Sequence, residues 1–183
     1  DLGKLKEAEL SYRKAIEIKP DYAEAHSNLG NILKDLCKLK EAEIALKKAI
    51  EIKPDYAVCH YNLGNILNDN GKLKEAELSY RKAIEIKPNY AEAHYNLGII
   101  LNDLGKLKEA ELSTRKAIKI KPNYADAAWN LYGLANTLEE AEERINLCLK
   151  IDENYLKAKL TLSALKLYQG DRTLFEKLIK SPH

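Results

Sequence analysis

The sequence predicts an all-α fold, a pile of helical hairpins of constant length. Three observations predict it. A proline closes the phrase "IKP" at Pro20, Pro54, Pro88 and Pro122, each 34 residues after the one before. An asparagine recurs in the same register at Asn28, Asn62, Asn96 and Asn130. Within each period the apolar residues fall twice into helical spacing. Regularity on this scale marks units that stack on their neighbours instead of folding around one centre.

The chain of 183 residues opens in mid-pattern. Residues 1–22 hold only the second helix of a unit, so the face of Leu5, Ala8 and Tyr12 has no partner helix ahead of it. The start at Asp1 without Met reads as a fragment. Full units run 23–56, 57–90 and 91–124. In the middle one a first helix is expected over 57–70, with Leu63, Ile66 and Leu67 as an i, i+3, i+4 stripe. Gly71 then supplies the left-handed residue of a helix end. A second helix is expected over 73–87. It sets Leu73, Ala76, Tyr80, Ala83 and Ile84 against Lys74, Glu75, Lys82 and Glu85 on the opposite face. Glu9–Arg13, Glu77–Arg81 and Glu111–Arg115 stand at i,i+4 and should pair.

Proline blocks continuation of each second helix. Asp21, Asn89 and Asn123 are then candidate N-caps, with Glu24, Glu92 and Asp126 three residues on as in a capping box. Cys37 occupies the turn position that Gly3, Gly71 and Gly105 hold elsewhere, which predicts a Cβ strained by about 1–2 kcal/mol. Thr114 stands where Tyr12 and Tyr80 stand, so that unit is expected to be loosely filled. Residues 125–155 form a degenerate unit: Ala141 comes three residues early, the turn lacks its glycine, and Glu153 replaces the proline. Residues 156–183 read as a closing helix, a Gly170-Asp171 turn and a shorter helix.

The period, with His60, Leu63, Gly64, Leu67, Ala76, Tyr80, Ala83 and Pro88 at their offsets, resembles the tetratricopeptide repeat. The array is similar to those of bacterial multi-repeat proteins and of protein O-GlcNAc transferases. The resemblance implies a right-handed superhelix with first helices lining a concave groove and second helices outside. It also implies a non-catalytic scaffold that binds an extended peptide or protein segment. The inward positions then carry Asn28, Tyr61, Asn62, Asn65, Asp69, Tyr95, Asn96, Asp103, Trp129 and Asn130. A primary amide presents a donor beside an acceptor, matching a peptide bond. Tyr61, Tyr95 and Trp129 make an aromatic row with little rotamer entropy to lose. The opposing reading is that the asparagines only bond neighbouring helices.

Six acids, Glu24, Asp35, Asp69, Glu92, Asp103 and Asp126, face Lys34 alone at those positions, in a chain of net charge +2. That predicts a neutral or basic guest. Glu24, Val58, Glu92 and Asp126 stand where related chaperone-binding repeats carry a lysine for a C-terminal carboxylate, so no such clamp is expected. The near-neutral balance argues against nucleic acid. No apolar run has the length of a membrane span. Cys37, Cys59 and Cys148 form no disulfide framework and suggest a reducing, cytoplasmic setting. His26, His60 and His94 lie on successive units, too far apart to share a metal ion, and are expected to pack. No cofactor loop or nucleophile–base set is present. Two other roles fit the sequence. One is the substrate-presenting part of a glycosyl- or sulfotransferase whose catalytic domain lies past His183. The other is end-to-end self-assembly through the bare first helix.

Overall fold

A computed structural model describes residues 2–168; the expected Gly170-Asp171 turn and final short helix lie outside the described residues. Among the described residues ten α-helices follow one another: α1 Leu2–Ile18, α2 Ala23–Asp35, α3 Leu39–Ile52, α4 Ala57–Asp69, α5 Leu73–Ile86, α6 Ala91–Asp103, α7 Leu107–Ile120, α8 Ala125–Tyr132, α9 Leu138–Ile151 and α10 Leu156–Tyr168. Helices α2 to α9 pair as consecutive hairpins, each packed on the next, in a right-handed superhelix. First helices also meet across units, since α2 touches α4 directly.

The first three hairpins close over a glycine, Gly30, Gly64 and Gly98. A Cβ on Gly64 would stand 2.6 Å from Cε1 of Tyr80, inside any real contact distance. Tyr80 is thereby pressed against the backbone of α4 and is 1% exposed. Leu33, Leu46, Ile66, Leu67, Ile100 and Leu101 continue this core from unit to unit. Thr114 is fully buried at the Tyr80 position and donates its hydroxyl to Ala110 O at 2.9 Å. The turns repeat as well: Gly71 and Gly105 lie at φ 72° and 74°, and Cys37 is forced to φ 58°.

The expected N-caps are not used. The capping residues are Tyr22, Tyr90 and Tyr124, without a side-chain cap bond. The physical reason is the Pro-x-Tyr turn, which brings the Tyr22 and Tyr124 N–H groups back to Lys19 O and Lys121 O. The residues taken for caps are thus left in the turn. The Glu24 and Glu92 carboxylates instead accept from their own N–H groups, and this holds both below the usual carboxylate range. The histidines fasten the same turns from the other side: Nε2 of His26, His60 and His94 donates to the carbonyls of Pro20, Pro54 and Pro88 at 2.8–3.0 Å.

Second helices are stitched by ions. Glu9, Glu43 and Glu77 are buried and receive Lys38, Lys72 and Lys106 from the next turn at 2.8–2.9 Å. The i,i+4 partners Arg13, Lys47 and Arg81 complete each cluster. With glutamate turned inward, its neighbour is turned out, and Leu10, Ile44, Leu78 and Leu112 are 61–70% exposed.

The fourth hairpin breaks the template. Helix α8 has 8 residues where α6 has 13, and Thr137 caps α9 through its hydroxyl, which accepts from the Glu140 N–H at 3.1 Å. No lysine stands at this turn. Arg144 comes from α9 in its place, reaching Glu111 at 3.1 Å and Leu131 O at 2.9 Å.

Candidate functional site

The period carries the asparagines to equivalent places on α2, α4, α6 and α8, but their surroundings differ. Asn28 is exposed and Asn62 half-buried, and neither amide is bonded to another group among the described residues. Asn96 is half-buried and bound to the preceding unit: its Nδ2 donates to Asn65 Oδ1 at 2.9 Å and to the Tyr61 hydroxyl at 3.3 Å. Asn130 Oδ1 lies 3.1 Å from the Thr114 hydroxyl and shares its one hydrogen with Ala110 O. Two amides of the series are therefore open and two are engaged between helices.

Asn65 joins two units. Its Oδ1 also accepts from the Tyr80 hydroxyl at 2.8 Å, and burial raises the Tyr80 phenol well above its ordinary value. Tyr61, Asn65, Asn68 and Asn96, with Lys34 and Asp69 3.9 Å apart at one side, line a hollow of about 290 Å³.

The aromatic row is built from more residues than the first-helix positions supply. Tyr61 packs on Tyr90 and Tyr95 on Tyr124, both with ring centroids 4.9 Å apart, and Trp129 packs on Tyr155 at 5.9 Å. Lys87 and Lys121 cover Tyr90 and Tyr124 at 4.6 Å from the ring centroids. Burial pushes the Tyr90 phenol up to about 12. These tyrosines were legible as a 34-residue recurrence, Tyr22, Tyr56, Tyr90 and Tyr124. The first unit has no aromatic here; Ser27 takes the place and is buried.

The acidic surplus is smaller than the first-helix positions suggest. Lys53 pairs with Glu24 at 3.4 Å and Lys121 with Glu92 at 3.2 Å. These lysines end the second helices and reach back across the junction. Asp126 accepts from the Tyr155 hydroxyl at 2.9 Å. Asp35, Asp69 and Asp103 are exposed at the ends of α2, α4 and α6. Cys59 and Cys148 are buried thiols raised to about 11 by desolvation, and Cys37 is exposed. Among the described residues no three His, Cys, Asp or Glu side chains converge as metal ligands, and no helix is long and apolar enough to cross a membrane.

Comparison with known proteins bears on this scaffold. A family model described as a TPR repeat matches residues 1–36 and 64–105. Two described as tetratricopeptide repeats match 23–56 with 91–124, and 45–77. Jointly they cover residues 1–124. No curated protein matches the sequence. Among solved structures, MamA is 25% identical over 85% of this chain and 92% of its own, with TM-score 0.78. PilF of Pseudomonas aeruginosa is 22% identical over 94% and 80%, with TM-score 0.82. YrrB, a TPR protein with an unusual peptide-binding site, is 23% identical over 89% and 86%, with TM-score 0.73. PilF and YrrB share the fold with this chain.

Proposed function

The chain belongs to the tetratricopeptide repeat family, and from that premise we propose that it is a non-catalytic scaffold holding an extended peptide or protein segment along α2, α4, α6 and α8. The observation that carries this reading is the pair of uncommitted amides, Asn28 and Asn62, on the same row of helices as Tyr61, Tyr95 and Trp129. An amide that holds nothing in its own protein, at a position of mediocre helix propensity, is available to a guest backbone. The aromatic rings are braced by Tyr90, Tyr124 and Tyr155, so they offer area with little ordering cost. Asp35 and Asp103 add exposed negative charge along the same row and favour a neutral or basic guest over a C-terminal carboxylate. A peptide-binding site on the neighbouring fold of YrrB is consistent with this use of the scaffold.

The test is a selection of displayed random peptides on the protein, followed by affinity measurements on Asn28→Ala with Asn62→Ala. Each lost hydrogen bond is worth about 0.5–1.5 kcal/mol, so the double variant should bind roughly tenfold more weakly with its helical circular dichroism unchanged. Unaltered affinity would reject the reading. Asn96→Ala is a poorer probe, because it also cuts the bonds to Asn65 and Tyr61.

A further inference from the structure

The amides at the junction of α4 and α6 are oriented from the core outward. The Tyr80 hydroxyl is buried with its ring, and a buried hydroxyl needs an acceptor for its hydrogen. Asn65 Oδ1 is that acceptor, which leaves Nδ2 of Asn65 uncommitted. The same oxygen takes a hydrogen from Asn96 Nδ2, which leaves Oδ1 of Asn96 uncommitted. The Tyr61 oxygen accepts from Asn96, so its own hydrogen is left to donate. One buried tyrosine thereby fixes the polarity of three groups on the wall of the hollow: donors on Asn65 and Tyr61, an acceptor on Asn96.

We infer that this hollow is a subsite for a primary carboxamide, the side chain of a glutamine or asparagine in the guest segment. The inference rests on the first-helix row being the binding surface. A carboxamide accepts at its oxygen from Asn65 and Tyr61 and donates from its nitrogen to Asn96, using every fixed group. A carboxylate has no hydrogen for Asn96 and meets Asp69. An ammonium has no acceptor for the two donors and meets Lys34. An aliphatic side chain leaves all three unpaired, and a site built for hydrogen bonds discriminates strongly against such a guest. A volume of about 290 Å³ suits one side chain. The third unit has no counterpart, because Ile99 and Thr114 replace Asn65 and Tyr80. A single subsite on a repetitive row sets the guest's register.

The experiment compares peptides selected on the wild-type protein and on Asn65→Asp. In the variant one carboxylate oxygen still accepts from Tyr80 and Asn96, while the outward donor becomes an acceptor. Wild-type peptides should share one Gln or Asn, and exchanging it for Glu, Lys or Leu should weaken binding at least tenfold. Peptides from Asn65→Asp should carry Lys or Arg there instead. If selected peptides bind and lose affinity with Asn28→Ala and Asn62→Ala, yet show no carboxamide preference, the subsite is overturned while the groove reading stands. If no peptide is enriched, both fall. The peptide exchanges use the wild-type protein, so the inference is decided even if Asn65→Asp does not fold.

Discussion

The units at 57–90 and 91–124 have the same backbone and different interiors. Their helices start and stop at equivalent residues, Ala57–Asp69 against Ala91–Asp103 and Leu73–Ile86 against Leu107–Ile120. In the earlier unit Tyr80 fills the hairpin and reaches Asn65 on the row of first helices. In the later one Thr114 stops short, bonds back to its own helix, and meets Asn130 of the next unit, while Ile99 stands at the Asn65 position. The residues the two share determine the scaffold. The few they do not share determine which polar groups line the row of first helices.

That contrast can be broken or sharpened by experiment. The largest expected effect is Tyr80→Ala, which empties the middle of a hairpin and should cost about 3–5 kcal/mol, as for other buried aromatics. Thr114→Ala should cost about 1 kcal/mol, the scale of a lost buried hydrogen bond. Urea denaturation of the two variants decides, and equal losses would show that side-chain size does not distinguish the hairpins. Next is Gly64→Ala, whose new methyl drives into the Tyr80 ring and should cost about 1–3 kcal/mol. Placed on top of Tyr80→Ala, which removes the ring that the methyl meets, Gly64→Ala should cost less than it does alone.

Acid titration comes third. Lys47 and Lys72 hold the Glu43 carboxyl below its usual 4.5. Burial pushes Glu77 up, and Lys106 and Arg81 overcome it to hold that group below 4.5 as well. Groups lowered on folding contribute stability that is complete above the unfolded value and is lost as pH falls through the folded one. The urea midpoint should therefore be level near neutrality and fall below about pH 4.5. The double variant Glu43→Gln with Glu77→Gln should show a shallower fall; an unchanged slope would remove the stitching from the account. The smallest effect is Cys37→Gly, which gives the first turn the residue its relatives use and should raise stability by about 1 kcal/mol. A lowered melting temperature would contradict the left-handed strain at φ 58°.

The helices were legible because their signals are local and repeated: a proline stop, a turn glycine, an apolar stripe. Asp21 and Asn123 misled because their type suits a cap, but the return of the Tyr22 and Tyr124 N–H groups to Lys19 O and Lys121 O decides the geometry. The groove charge was overstated because Lys53 and Lys121 belong by sequence to second helices and act across a junction. Asn65 with Tyr80 was hidden for another reason. A template is read by what recurs, and this pair occurs once, fifteen residues apart on different helices.

Helix α9 begins 13 residues after α8, where α7 begins 16 after α6. In the language of crystals this is a dislocation. Rows that depend on strict translation lose phase there, and each continues only if a new residue bridges the step, as Arg144 does for the lost lysine and Trp129 with Tyr155 does for the rings. A ruler made of identical divisions thus acquires one mark unlike the others.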